Sequence, residues 1–513
     1  MSQQPTVGQQ TMRQGQSMRQ VQGPPELIIT LAGRRLSTGE VARVVSIRVH
    51  SALAQPAQCL IAWATDERLG VDPSTGDALR VEIGGHREPL FTGEVTVVEY
   101  SWRADSGRQV RVRAYDALHR LRKRQFHRLH PAATLPELAT TLSAGCGLAV
   151  DAPDVRLGDV YQVARSDLDL LVAQCARVGV YPVVRDATLR LVTLSGDGDP
   201  TRVDYGASLH SAEIEVSQEP AFRTVETSWW DAVAASSDHE TAGDARAAAG
   251  VSADPDPDRV GGGGALLRAD DLGEPGDLAQ AELDVRRMGE VSAVLVAQGH
   301  PALQAGRRVE VRGVRASLEG VYAIAEATHD ITIAGYETTL STQPPPPPPP
   351  RPPDQVTLGV VDDSDDPEDR GRVRVRLPAH GDLLSGWAPV LLPAAGPDKG
   401  LVALPEVDDT VLVLLPGRDP AQAIVLGGLY GQLLPPTVPS GQRGASMTIR
   451  THDGQQLTLD GPEHTLSLTD GAGSRVELGP DLVRITAATD LLIEAPGRAL
   501  RIRARTVDFE EAP

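Results

Sequence analysis

The sequence predicts a mainly-β chain of several small domains, and three observations carry that prediction. Short runs rich in Val, Ile and Leu alternate with clusters of Gly, Pro, Asp and Ser along most of the 513 residues, the pattern of strands joined by tight turns. Aromatic residues make up only 3% of the chain, so its cores must be filled by Val, Leu, Ile and Ala, which suits many thin β-cores better than one large one. From Met447 onward, apolar residues two apart recur at intervals of seven to ten positions, the period of strands with one apolar face.

Taken in order, residues 1–24 are polar and Gln-rich and predict a disordered segment. Residues 25–120 predict a first β-barrel, with strands at Leu27–Leu31, Val44–Val49, Cys59–Ala64, Ala78–Ile83, Gly93–Tyr100 and Gln109–Ala114. The period then changes. Within 121–200, Leu135–Leu142 and Leu168–Val178 carry apolar residues at helical spacing, the second behind the N-cap candidates Ser166 and Asp167. A hairpin, Tyr181–Val184 with Thr188–Leu194, completes this α/β insertion. Residues 201–342 predict a second barrel with a helix near Asp277–Gly289, interrupted by an Ala-, Asp- and Gly-rich stretch at 232–275 that reads as a flexible loop. The glycines Gly261–Gly264 are not followed by Gly-Lys-Ser/Thr, so they are no phosphate loop.

Pro344–Pro350, Pro352 and Pro353 make 343–354 a stiff polyproline spacer rather than a ligand for a proline-binding domain. In 355–435, strands are expected at Val356–Val361, Gly371–Leu377, Trp387–Leu392, Gly400–Leu404, Thr410–Leu415 and Ala423–Leu429, a small closed or nearly closed barrel. In 436–513, eight apolar pairs (Met447/Ile449, Leu457/Leu459, Leu466/Leu468, Val476/Leu478, Val483/Ile485, Leu491/Ile493, Leu500/Ile502 and Val507/Phe509) mark strands too short to be stable as isolated hairpins.

Gly359-Val-Val361, Asp366-Pro-Glu-Asp-Arg-Gly-Arg-Val-Arg-Val-Arg376, Ser385-Gly-Trp-Ala-Pro-Val390, Leu404-Pro-Glu-Val407 and Val425-Leu-Gly-Gly-Leu-Tyr430 stand in sequence order. Together they resemble the OB-fold of contractile-tail spike proteins, the group of Vgr-type secretion spikes, phage baseplate spikes and the spikes of extracellular injection particles. Ser166-Asp-Leu-Asp-Leu-Leu171, Gly299-His-Pro-Ala-Leu-Gln-Ala-Gly306, Leu318-Glu-Gly-Val-Tyr322 and Gly335-Tyr-Glu-Thr338 are similar to the phage late control protein D family, the hub half of such spikes. The fold this implies is two hub β-barrels with an α/β insertion, an OB-fold, and a C-terminal intertwined trimeric β-helix, although the valine-glycine octad of Vgr needles is absent. The implied partners are two further copies of the chain, the inner tube and baseplate proteins of the apparatus, a PAAR-type tip protein near Phe509, and a target membrane pierced mechanically.

A net charge of -20 argues against nucleic-acid binding, and the OB stretch offers only Trp387 and Tyr430 as aromatics. The N-terminus lacks the apolar core of a signal peptide and no run approaches a membrane span, so synthesis in the cytosol is expected. Cys59, Cys146 and Cys175 are odd in number and scattered, which fits neither a disulfide framework nor a zinc site. No catalytic signature is present, so no catalytic, cofactor or metal residue is expected. The basic stretch of His119, Arg120, Arg122, Lys123, Arg124, His127, Arg128 and His130 reads as a solvated or subunit-facing surface, and the acidic run Asp362–Asp369 as a turn, since Pro367 breaks a calcium-loop pattern. Gly431–Ser446 is too short to hold the lysozyme domain that some family members insert there. The function expected is a structural spike and hub, of a free particle, a type VI apparatus or a phage tail; a spike-associated cell-wall hydrolase is the remote alternative.

Overall fold

The computed structural model describes residues 25–65, 72–103, 107–217, 219–220, 222, 224–231, 236–246, 265–268, 275–346, 352–397, 399–431 and 445–510. The Gln-rich segment 1–24, most of 232–275 and the middle of the proline run lie outside these residues. The chain divides into two compact units, one comprising 1–407 with 413–426, the other 408–412 with 427–513.

In the first unit, eleven strands form one continuous sheet. Its order is 209–216, 291–298, 335–341, 326–332, 44–52, 58–65, 107–115, 91–103, 78–83, 27–31 and 34–35. Both predicted barrels therefore share a sheet, joined where Glu326–Thr332 pairs antiparallel with Val44–Ala52. Alternation along the second of these strands sends Ile47 and Val49 into the first core, against Ile29, Ile61, Trp63, Val81 and Val112. Across the same joint, on the opposite face of the sheet, Arg48 bonds Asp330 at 2.7 Å. The second barrel encloses Leu295, Leu303, Val309, Val311 and Leu340.

The core changes at Asp116, whose carboxylate accepts from Leu118 N–H and caps the 3₁₀ turn Ala117–Lys123. Leu118 and Leu121 already belong to the core of the α/β insertion, with Leu135, Leu138 and Leu142 of one helix and Leu168, Leu171 and Cys175 of the other. The helix Leu135–Leu142 starts in a Thr134/Glu137 capping box, and Asp167–Arg177 is capped by Ser166. The hairpin of Val180–Arg185 with Thr188–Thr193 follows as expected. The stretch 232–275 does not read out as a plain loop. Ser236–Ala242 pairs with Val225–Asp231, Ala265–Arg268 adds a parallel strand, and the helix Pro275–Glu290 packs on this small sheet. Ser-Ser-Asp-His-Glu-Thr-Ala has no apolar alternation because, of its described side chains, only Ala242 is buried.

Two buried groups give the hub an opposed pH response. Burial pushes the Asp116 carboxyl up to about 7, and burial pushes His329 down to about 3. Between pH 4.5 and 6.5, folded Asp116 holds a proton that the unfolded chain has released, so this group stabilises the fold as pH falls. His329 stays neutral in the fold while its unfolded counterpart takes up a proton, so it does the reverse. The expected result for Asp116→Asn is that the hub's denaturation free energy falls with acid by up to about 1.4 kcal/mol per pH unit more than the parent's. Urea midpoints measured at intervals from pH 6.5 to 4.5 would read this, and parallel curves for variant and parent would contradict it.

The OB barrel orders its strands as Leu383–Ala388, Val373–Leu377, Gln355–Asp363, Thr410–Leu415 and Ile424–Gly428. It closes by a parallel bridge of Val390 with Val425, where Leu391 N–H bonds the Val425 carbonyl at 2.8 Å. Val361, Val373, Val375, Leu377, Val413 and Val425 fill it completely buried. The expected strand at Gly400–Leu404 is absent. Leu401, Val402 and Leu404 are exposed on an irregular segment, where Leu401 N–H bonds the Pro393 carbonyl at 3.1 Å but no strand ladder forms among the described residues.

Candidate functional site

The second unit carries the most unusual surface among the described residues. Ser446–Arg450, Gln456–Asp460, Thr465–Thr469, Arg475–Leu478 and Val483–Thr486 form a five-stranded antiparallel meander. Its turns are specified locally. Gly471 adopts a φ of +80° that suits glycine, and the Asp470 carboxylate accepts from the N–H groups of Ala472, Gly473 and Ser474 at 2.7–2.9 Å. A bond from the Ser474 hydroxyl, together with those N–H groups, holds the Asp470 carboxyl below its usual range.

Register decides what the sheet presents. Met447 faces Leu459, Leu459 faces Leu466, Leu466 faces Leu478 and Leu478 faces Val483, one continuous row across all five strands. Two residues along each strand, Ile449, Leu457, Leu468, Val476 and Ile485 make a second row. Because the strand period is two, all ten side chains share one face. Thr448, Thr458, Ser467, Glu477 and Arg484 share the other. Among the described residues nothing covers most of the apolar face: Met447 is 56% exposed, Val483 62% and Ile485 61%, while Leu457, Leu466 and Val476 are half-buried. Soluble single chains rarely leave such a patch open.

Five of the eight predicted apolar pairs thus lie on strands that pair within one chain. The other three lie in 487–510, which forms no strand, and Leu492, Ile502 and Phe509 are exposed, the last by 92%.

The basic stretch 119–130 divides between surface and interior: Arg120, Arg122, Lys123 and His127 are exposed as expected, Arg124 and Arg128 are half-buried, and His119 and His130 are buried. His119 is buried against Glu94 at 2.7 Å, and Arg120 also bonds Glu94. Arg124 and Arg128 both reach the buried Asp167, at 3.0 and 3.2 Å, and His130 is buried. His127 meets the OB barrel, edge-on to His380 with ring centroids 6.5 Å apart. The acidic run proves to be a turn with a purpose the sequence did not disclose. Asp366 is buried, bonds the Arg372 guanidinium at 2.7 and 2.9 Å, and accepts from the N–H groups of Glu368 and Arg370. The Arg372 bond, above all, holds its carboxyl far below the usual range. A buried Asp followed six residues later by Arg across a Pro turn is the signal that could have revealed it. Cys59, Cys146 and Cys175 are free and buried, and burial pushes their thiols up. Among the described residues, no three His, Cys, Asp or Glu side chains are grouped to hold a metal, and no helix is long and apolar enough to cross a membrane.

Two known families match. The type VI secretion system/phage-baseplate injector OB domain matches residues 357–430, the barrel just described. The Alg8 N-terminal domain matches residues 73–333, just over half of the chain. No curated protein matches in sequence. Among solved structures, the Francisella PdpA-VgrG complex is similar with a TM-score of 0.55 at 8% identity, covering 90% of this chain and 81% of that one. An E. coli component of the type VI secretion system is similar with a TM-score of 0.51 at 12% identity, covering 78% of this chain and 99% of that one. The fold is that of a Vgr-like spike.

Proposed function

The chain belongs to the family of the Alg8 N-terminal domain, and on that premise we propose that it is the structural hub and central spike of a contractile injection apparatus. Three copies assemble. Their paired hub barrels make a pseudo-sixfold ring that joins the inner tube to the baseplate, their OB barrels form a collar, and residues 436–513 wind together into the needle. When the sheath contracts, the needle pierces a target membrane mechanically, with a PAAR-type protein seated near Phe509. The chain performs no catalysis in this role.

One observation supports this reading most: the two five-residue apolar rows of the meander, seven of whose ten side chains are exposed in a single copy. Burying such a row returns roughly 1.5–3 kcal/mol per large side chain, and three sheets turned face inward bury all of them around one axis. Rigidity follows, since strands enclosed in this way leave few open edges. The baseplate injector OB domain immediately before the needle supports the same order of parts. The test is the mass of the purified protein by light scattering. Three copies are expected at micromolar concentration, and a folded single copy with a protease-resistant 446–486 would refute the assembly.

A further inference from the structure

The hub sheet repeats itself. From one end its first four strands are 209–216, 291–298, 335–341 and 326–332, and the next four are 44–52, 58–65, 107–115 and 91–103. Each set is two strands in chain order followed by a hairpin in reverse order, and every neighbouring pair within a set is antiparallel. Strand for strand, 209–216 stands where 44–52 does, and 326–332 where 91–103 does. The two sets meet by the last strand of one and the first of the other, 326–332 with 44–52. The corresponding pair, 91–103 with 209–216, is not made within the chain. Both of its members have an open edge. Strand 209–216 ends the sheet, and 78–83 reaches only Phe91–Glu94, so among the described residues 97–103 pairs with 107–113 alone. Unpaired backbone groups on such an edge are a template for another strand. The side chains there are also apolar and uncovered: Tyr100 is 46% exposed, Trp102 69% and Val216 49%, and the Tyr100 and Trp102 rings stack with centroids 6.2 Å apart.

We infer that this second joint is made between copies: residues 97–103 of one chain pair antiparallel with 209–216 of the next. The inference rests on the three-copy assembly above. Three joints inside chains then alternate with three between chains, a head-to-tail contact that closes when repeated around the six barrels. Register follows from the hairpins and the faces. Arg103 opposite Gly107 and Thr332 opposite Gly335 end the two hairpins, which sets Trp102 in the place of Ile331 and Tyr100 in the place of His329. On the other strand, Val216 and Ile214 pair with the core residues Val291 and Ala293, as Val49 and Ile47 pair with Cys59 and Ile61. The intrachain joint sets Ile331 opposite Ile47 and His329 opposite Val49. Its counterpart therefore sets Trp102 opposite Ile214 and Tyr100 opposite Val216, two apolar pairs on the core-facing side of the sheet. A second copy is favoured over a strand of another protein because each chain already carries both halves of the contact, in the register that the first joint uses.

The experiment is mild oxidation of the full-length chain carrying Tyr100→Cys/Val216→Cys, with covalent mass read on a denaturing gel and assembled mass by light scattering. Directly opposite residues of antiparallel strands stand about 4.5–5.5 Å apart at Cα, within disulfide reach. The native Cys59, Cys146 and Cys175 are buried and stay out of the reaction. Both substituted side chains are exposed in the single copy, so the fold tolerates their loss. Bands at two and three chain masses are expected, returning to one under reductant. Each single substitution should give at least about tenfold less, and so should Tyr100→Cys/Glu215→Cys, because Glu215 lies on the other face of its strand. A three-copy mass by light scattering with no covalent link overturns the joint and leaves the assembly standing. Equal linkage in the Glu215 variant overturns it as well. Links in a sample whose mass exceeds three copies support the joint and sink the trimer, and a single copy without links sinks both.

Discussion

With glutamate in place of both Leu457 and Leu468, the purified chain should elute as a single copy where the parent elutes as three. The two residues face one another across adjacent strands, in the middle of the second apolar row. Each loses roughly 1.5–3 kcal/mol of burial, and in the assembled needle each would also bring a carboxylate to a dry axis beside its counterparts from the other copies. The loss of at least about 3 kcal/mol per chain weakens association more than 100-fold. Thr458→Glu is the control, because Thr458 lies between these rows in sequence but on the opposite face. It should remain trimeric by light scattering. If both variants stay trimeric, the apolar rows are not the contact, and if both dissociate, the face assignment is wrong.

The five-stranded sheet of 446–486 also marks the boundary of what the sequence could disclose. Alternation told which residues of 446–486 share a face, because the strand period is fixed by the backbone. It could not tell which strand each would pair with, and the structure pairs them with neighbours in the same chain. The hub strands were legible for the same reason, Leu27–Leu31 and Ala78–Ile83 to the residue. What sequence alone hid was the fusion of the barrels, since Glu326–Thr332 and Val44–Ala52 meet across nearly three hundred residues and their facing side chains include Arg48 and Asp330, ordinary surface residues in a linear reading. In the basic stretch around His119 the solvated face was legible, with Arg120, Arg122, Lys123 and His127 exposed, but its ion pairs were not, because the acidic partners Glu94 and Asp167 lie outside the stretch and local counting sees only one sign of charge. Ser236–Ala242 was missed because it has too little apolar surface to show a period, and Gly400–Leu404 was expected as a strand because Leu401-Val-Ala-Leu404 is a short unbroken apolar run.

The Gly359-Val-Val361 motif makes the second strong prediction: Gly359→Val should abolish the stable OB barrel. Gly359 lies on the inner face of its strand, between the buried Thr357 and Val361. A Cβ placed there would come within 2.2 Å of a Val375 methyl, 3.2 Å of the Arg376 carbonyl and 3.3 Å of Val413. The backbone carbonyl cannot step aside without breaking the ladder to Val373–Leu377, so the strain falls on the Val375 and Val413 side chains that fill the barrel. Overpacking of this kind costs about 1–3 kcal/mol where a core can relax, and more where backbone bounds the space. Limited proteolysis should therefore cut within 355–428 in the variant and spare it in the parent. Gly359→Ala/Val375→Ala is the decisive companion, because it adds one methyl where the structure has none to spare and removes the methyl in its way. That pair should recover protection that Gly359→Ala alone lacks. If Gly359→Ala is as resistant as the parent, the barrel has room that its packing denies, and glycine is there for some reason other than space.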